Sequence, residues 1–381
     1  MTAMLFVTRN FPPLVGGMER LALESVRALA EAADVAVVGP KGCAPWVPGP
    51  AVAVSHHSAG RFLLESWWAA RRLAARGAPD WVVGGSGLAA PAVRSAARAA
   101  GARAACFVHG LDLVVDSRIY RATCLPALRR MDLVIANSRN TARLAVEAGI
   151  RADRIEVLHP GVAVGESPDP DRFLSRFPVA AGRRLLLSVG RLLPRKGVAD
   201  FVRQALPPLV ARHPELLLVV AGGVPDNALK REGDEGRCLA DAVVQTGMAN
   251  HVLITGELSD ELLLSLYGAG SLSVFSVKDL PGDVEGFGMV ALEAAAHGLP
   301  TVAFTAGGVA DAVSSGVSGS LVPAGDYEQM AACIGDYLAG DLGTVTAESC
   351  RAFAAGFAWP QFGERLRALI LGEDRGGGSR A

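Results

Sequence analysis

Short apolar runs of four to six residues alternate with longer stretches in which apolar positions recur every three or four residues, over most of the chain. A strand covered on both faces needs apolar side chains on both, so such runs separated by amphipathic helices are the signal of parallel sheets built from βαβ units. In the first half the pattern predicts strands at 3–8, 34–39, 81–84, 104–109, 133–136 and 155–158. In the second half it predicts strands at 185–189, 216–221, 251–255, 272–276 and 301–304. Between the two series stands His159-Pro160-Gly161-Val162, followed by the polar, proline-rich stretch 165–171, which reads as an interdomain hinge. A length of 381 residues also exceeds what one core usually organises. The expected fold class is therefore α/β, with a first domain over 1–162 and a second over 163–356.

Composition narrows the class. With 50% hydrophobic and 20% charged residues, and no apolar run long enough to span a bilayer, the chain reads as a soluble protein. Residues 1–8 form a strand-like run without the layout of a signal peptide, so a cytoplasmic location is expected. Cys43, Cys106, Cys124, Cys238, Cys333 and Cys350 include no C-x-x-C pair, which argues against a zinc site or a disulfide framework. The net charge of −1 conceals an asymmetry. Residues 1–163 hold 19 Lys/Arg against 12 Asp/Glu, and residues 164–381 hold 18 against 26. A basic first half suits an anionic membrane surface or a phosphate-bearing acceptor, and arginine-rich composition by itself is the competing explanation.

Candidate chemistry gathers at the carboxyl ends of predicted strands, where open α/β sheets bind ligands. After the strand at 272–276 comes the run Glu285-Gly286-Phe287-Gly288-Met289-Val290-Ala291-Leu292-Glu293, which opens a helix closed by Gly298 and Pro300. Two carboxylates eight positions apart would span about 12 Å on a continuous helix, and the N–H groups at its start suit a diphosphate. After the strand at 185–189, Arg191, Arg195 and Lys196 place three cations in one loop, with Arg195 expected to face solvent. Gly16 and Gly17 lie between the first strand and first helix, where the missing side chains admit a close backbone approach. His109 closes the strand 104–109, and Asp112 follows three positions on. Asn137-Ser138 reads as a helix N-cap, and Gly307-Gly308 as a turn.

Taken together, these residues resemble the retaining glycosyltransferases of family 4. The E-x7-E signature of that family stands here as EGFGMVALE, its R-x4-K pair as Arg191 and Lys196, its glycine pair as Gly16-Gly17, and its histidine as His109. The resemblance covers nearly the whole chain. It implies the GT-B architecture, two doubly wound Rossmann-like domains facing across a cleft, with the chain returning to the first domain over 357–373. It further implies that Arg191 and Lys196 hold the donor diphosphate, Glu285 the sugar hydroxyls, and Glu293 the ribose. Gly286, Phe287, Gly288, Met289 and Val290 would contribute backbone contacts to the donor, and His109 would hold the sugar from the first domain. Glu285, His109, Arg191 and Lys196 are the implied catalytic set. No metal or other cofactor is expected. The implied substrates are a GDP- or UDP-linked hexose, GDP-mannose first, and a lipid-linked or glycan acceptor in glycolipid or surface-polysaccharide synthesis. A peripheral contact with an anionic membrane is expected, and nucleic acid is not among the expected partners.

Two other signatures are weaker. Gly85-Ser86-Gly87-Leu88-Ala89-Ala90 fits the dinucleotide fingerprint, but the acidic ribose partner about twenty residues on is absent. Asp169-Pro170-Asp171 has the D-x-D form of metal-dependent transferases but lies in the hinge. A nucleotide-sugar epimerase and a noncatalytic sugar-nucleotide binding protein remain open as alternatives.

Overall fold

The apolar runs become two all-parallel sheets in the computed structural model, which describes residues 2–165, 168–223, 235–341 and 343–372. The first sheet contains β1 (Thr2–Val7), β2 (Ala33–Pro40), β3 (Ala51–Val54), β4 (Trp81–Gly84), β5 (Arg103–Val108), β6 (Leu133–Ala136) and β7 (Ile155–Val157). Its order is β3-β2-β1-β4-β5-β6-β7. The second contains β8 (Arg184–Val189), β9 (Leu216–Ala221), β10 (Val252–Gly256), β11 (Leu272–Phe275), β12 (Thr301–Phe304) and β13 (Gly319–Val322). Its order, β10-β9-β8-β11-β12-β13, repeats the doubly wound pattern in which the strand order reverses beside the first strand.

Side chains alternate across each strand, so one sheet feeds two apolar layers. Leu5 and Val7 pack with Val82, Cys106 and Val134 beneath the helices Ala59–Gly77, Ala90–Ala100 and Arg118–Leu128. Met4 and Phe6 pack on the opposite face with Val37, Val83 and Phe107, under the helix Gly17–Ala30. The helix Trp359–Leu371 joins this second layer through Phe362, Leu366 and Ile370. The Arg367 guanidinium also donates to the Ala28 carbonyl at 3.2 Å.

By contact the described chain falls into two compact units, one running as far as Gly161 and resumed from Phe357, the other Val162–Gly356. Departure and return of the chain meet at one point: a Cβ on Gly161 would lie 2.3 Å from the Trp359 ring. Hinge positions 166 and 167, and residue 373 at the end of the expected return, lie outside the described residues.

Two strands were not expected from the pattern, β3 and β13. Both are edge strands of four residues, Ala-Val-Ala-Val and Gly-Ser-Leu-Val. An edge strand has one paired neighbour and an open side, so its sequence need not carry the apolar run of a central strand.

Candidate functional site

In the second unit, loops at the carboxyl ends of β8, β9, β10 and β11 are stitched together by backbone. Gly190 N–H donates to Ala221 O at 2.8 Å, Leu192 N–H to Gly223 O at 2.9 Å, and Gly222 N–H to Gly256 O at 2.9 Å. Gly222 has φ +147°, and a Cβ there would lie 2.0 Å from Gly190 O, so this approach requires glycine. Gly223 packs on the Glu257 side chain, which holds the segment 222–223 against the loop after β10.

The loop after β8 turns back through a 3-10 turn, Pro194–Lys196, ended by Gly197 at φ +66°. A Cβ on Gly197 would meet Ser276 O at 2.3 Å, and the Ser276 hydroxyl donates to Lys196 O at 3.0 Å. Two loops that are 80 residues apart in sequence are thereby closed on each other. Their charged side chains meet in a buried cluster. Lys196 Nζ lies 2.8 Å from Glu285 Oε2 and 4.5 Å from the centre of the Phe275 ring. Arg195 Nε donates to the same Glu285 oxygen at 3.2 Å, and its terminal nitrogen reaches Asp283 at 3.4 Å.

Arg195 therefore departs from its expected solvent-facing position: its side chain is only 13% exposed. The cause is charge compensation, because Asp283 and Glu285 enter the loop two residues apart and two cations are needed to balance them. Burial would raise the Glu285 carboxyl, but Lys196 and Arg195, by charge and by hydrogen bonding, hold it down at about 2. Burial pushes the Lys196 ammonium below its ordinary range, with Glu285 opposing that shift. Arg191 is exposed beside this cluster and adds to the positive potential at Lys196.

The helix Met289–Ala296 begins at Gly288, φ +99°, where a Cβ would sit 2.9 Å from the Phe275 ring. Its N-cap residue, Gly288, has no side chain to cap the first turn. Val290 on that turn approaches Gly190, and Phe287 is buried. Glu285 is fixed from behind by the Gly307-Gly308 turn, whose Gly308 N–H donates to Glu285 O at 2.9 Å. Further along the helix, Glu293 Oε2 accepts from the Tyr267 hydroxyl at 3.2 Å, and the Tyr267 ring stacks on His297. Tyr267 and Asp283 were not among the expected site residues. The spacing of Asp283 to Glu285 opposite Arg195-Lys196 was the available signal for the latter.

Gly16, Gly17 and His109 belong to the first unit. Gly16, φ +157°, precedes the helix Gly17–Ala30, and a Cβ on it would lie 2.4 Å from Glu19 Oε2. His109 Nε2 lies 2.8 Å from Gly85 O, a carbonyl that only accepts, so Nε2 carries a proton, and in the neutral imidazole Nδ1 is the acceptor. Asp112 Oδ2 accepts from the His109 backbone N–H at 3.0 Å, and its other oxygen from the Tyr120 hydroxyl at 3.4 Å. Asp112 thus fixes the backbone at His109.

The glycines of the dinucleotide-like segment are packing positions. A Cβ on Gly85 would lie 2.6 Å from Thr8 Oγ1, and one on Gly87 2.2 Å from the Tyr120 hydroxyl. Ser138 caps the helix Arg139–Glu147 by accepting from Thr141 N–H at 3.0 Å. Among the described residues no group of three or more His, Cys, Asp or Glu is placed to hold a metal ion, and no helix is long and apolar enough to cross a membrane.

One prediction arises directly from the cluster. Removing the Arg195 charge raises the Glu285 carboxyl toward its ordinary value of about 4.3, so protonation of Glu285 begins at a higher pH. A depressed carboxylate contributes stability above its unfolded-state pKa and loses it as pH falls through the folded value. Arg195→Met should therefore move the acid-side loss of both stability and ligand affinity upward in pH, while Arg195→Lys largely restores the profile. Thermal unfolding measured against pH checks this, and superimposable curves for wild type and Arg195→Met would refute it.

Known proteins resemble this chain along nearly its whole length. The family described as Glycosyltransferase Family 4 matches residues 15–166, and that described as Glycosyl transferases group 1 matches residues 171–354. The chain is 30% identical to the GDP-mannose-dependent alpha-(1-6)-phosphatidylinositol monomannoside mannosyltransferase of Mycolicibacterium smegmatis, covering 97% of this chain and 98% of that protein. It is 31% identical to the D-inositol 3-phosphate glycosyltransferase of Nocardiopsis dassonvillei over 81% of this chain and 78% of that protein. Among solved structures, Anabaena HepE in complex with UDP and glucose superimposes with TM-score 0.79 at 21% identity, covering 97% and 99% of the two chains. Sucrose-phosphate synthase from Thermosynechococcus elongatus superimposes with TM-score 0.80 at 18% identity, covering 98% and 99%.

Proposed function

The chain belongs to the family 4 glycosyltransferases, nucleotide-sugar enzymes of GT-B fold, and from that premise we propose that it is a retaining, metal-independent hexosyltransferase. Its proposed donor is GDP-mannose, and its proposed acceptor is a hydroxyl of a lipid-linked or polysaccharide-type glycan. The observation that carries this reading is the buried Lys196–Glu285–Arg195–Asp283 cluster beside exposed Arg191 at the carboxyl ends of β8 and β11.

The donor diphosphate enters beside Arg191 and Lys196, where two cations and the uncapped first turn from Met289 converge on negative charge. Glu285, kept ionised by its two cations, accepts hydrogen bonds from sugar hydroxyls. Glu293, which already accepts from Tyr267, takes the ribose. As the glycosidic bond lengthens, charge builds on the departing nucleoside diphosphate, and Arg191 and Lys196 stabilise it without reorganising. His109, with a proton on Nε2, offers Nδ1 to a hydroxyl. The acceptor hydroxyl attacks the face the diphosphate leaves, and the departing phosphate takes its proton. GDP-mannose is preferred over UDP-hexoses because the M. smegmatis relative named for it is similar along the whole chain.

A peripheral contact with an anionic membrane forms part of this reading. The helix Ala59–Gly77 buries Phe62, Ser66, Ala70 and Ala74, yet leaves Leu64 62% and Trp68 65% exposed. Exposed Arg61, Arg71, Arg72 and Arg76 lie on the same helix. Apolar side chains flanked by arginines suit an interface of anionic lipid headgroups.

The test is a thermal-shift panel of GDP, UDP, ADP and TDP and their hexose conjugates. A ligand at a hundredfold over its Kd stabilises the fold by about 2.7 kcal/mol, so GDP-mannose should give the largest rise in Tm. A larger rise with a UDP-hexose would transfer the donor assignment, and no rise with any nucleotide would sink the transferase reading. Hydrolysis of the donor with no glycoside formed from any acceptor would favour the epimerase.

A further inference from the structure

Away from the donor cluster, three loops of the first unit are drawn together at the carboxyl ends of β1, β2 and β3. Arg9 follows β1, and its Nε donates to the His56 carbonyl at 2.6 Å. Lys41-Gly42 follows β2, and a Cβ on Gly42 would lie 3.1 Å from the Pro13 ring, so this loop rests on the segment after β1. His56 and His57 follow β3, with ring centroids 4.0 Å apart. The Nδ1 atom of His56 is buried and without a hydrogen-bond partner.

The charges in this corner are unbalanced. Burial pushes the His56 imidazole below its ordinary value, and His57, Arg9 and Lys41 all act in the same direction. Arg9 is itself lowered by burial, with Glu19 opposing. The neighbouring carboxylates are engaged elsewhere. Glu65 accepts from Ser55 N–H at 2.6 Å and lies 3.5 Å from Arg61, and Glu19 accepts from the Asn10 amide at 2.7 Å. Two permanent cations and two imidazoles at strand carboxyl ends, one cation half-buried, are stabilised by an incoming anion.

We propose that Arg9, Lys41, His56 and His57 form a phosphate-recognition site that takes a phosphate ester carried by the acceptor. It rests on the transferase reading for the word acceptor, but not for the anion. Arg9 and Lys41 supply charge, and the two imidazoles supply N–H donors once protonated. A bound phosphate favours the protonated imidazoles, so affinity rises as pH falls through their titration range.

The experiment follows the histidine side chains of the full chain by NMR during pH titration. Glycerol 3-phosphate is one probe, and phosphatidylcholine vesicles with and without phosphatidylglycerol are the other. The His56 midpoint should rise by about one unit with a bound phosphate. Lys41→Met, at an exposed position, should reduce the rise, and Arg9→Met should abolish it. A response to glycerol 3-phosphate alone assigns a soluble phosphomonoester, and a response to phosphatidylglycerol vesicles alone assigns a lipid phosphodiester. An unmoved His56 midpoint with both probes overturns the proposal, as does an equal rise in Lys41→Met and wild type. Nucleotide stabilisation measured on the same samples keeps the two readings separate, since failure of the donor reading removes the nucleotide effect and leaves the His56 response intact.

Discussion

Lys196→Met is expected to lower kcat/KM for glycosyl transfer by about 10²–10³-fold, equivalent to roughly 2.7–4 kcal/mol of transition-state stabilisation. Methionine keeps the length of the side chain and its contact with the Phe275 ring, so the change isolates the charge. In the free protein that charge is compensated by Glu285, 2.8 Å away, with Arg195 bound to the same oxygen. A diphosphate offers Lys196 a more highly charged partner, and Arg195, held by Asp283, can then keep Glu285 ionised alone. The negative charge on the diphosphate grows as the sugar departs, so the loss should fall on kcat more than on KM. Steady-state kinetics with saturating acceptor measure it. A kcat/KM within fivefold of wild type would remove Lys196 from the catalytic set.

Gly307→Ala should damage activity more than its loss of stability explains. Gly307 adopts φ +51°, which costs a non-glycine residue about 1–2 kcal/mol, and its Cβ would lie 2.4 Å from Glu285 O. The backbone must yield, and the segment that yields carries Glu285. A displacement of about 1 Å at a reacting group costs on the order of 10²-fold in rate. Gly316→Ala provides the control, since φ is +77° there but the nearest atom, Thr344 Oγ1, is 3.6 Å away. Both variants should lose Tm, and only Gly307→Ala should lose kcat/KM beyond its loss of stability. Equal activities in the two variants would mean that the Gly307 turn does not position Glu285.

The central strands were legible because each is covered on both faces. Residues 216–221 are apolar without interruption, and all six are buried. Periodicity reports how an element is covered, and coverage is a local property of the sequence. β3 and β13 escaped because they are four-residue edge strands built partly of alanine, glycine and serine, whereas the edge strands β7 and β10 carry isoleucine beside valine. Likewise, the order of glycine, histidine, arginine-lysine and paired glutamates along the chain identified the family, because each of those residues occupies a loop that follows a recognisable strand.

What the sequence by itself determined is the α/β class, the two series of parallel strands, and the family pattern that Glu285, Glu293, Arg191 and Lys196 carry. What the tertiary structure alone decided is which of these groups touch, and what touches them. The inward turn of Arg195 depends on the close approach of Gly197 to Ser276 and on Asp283, a residue 88 positions away. The tautomer of His109 depends on the Gly85 carbonyl, and the corner around His56 on loops after three different strands. Charge compensation and hydrogen bonding act through space over a few ångströms, between loops whose neighbours are fixed by strand order in the sheet. The hydrophobic period of any one segment carries no record of that order.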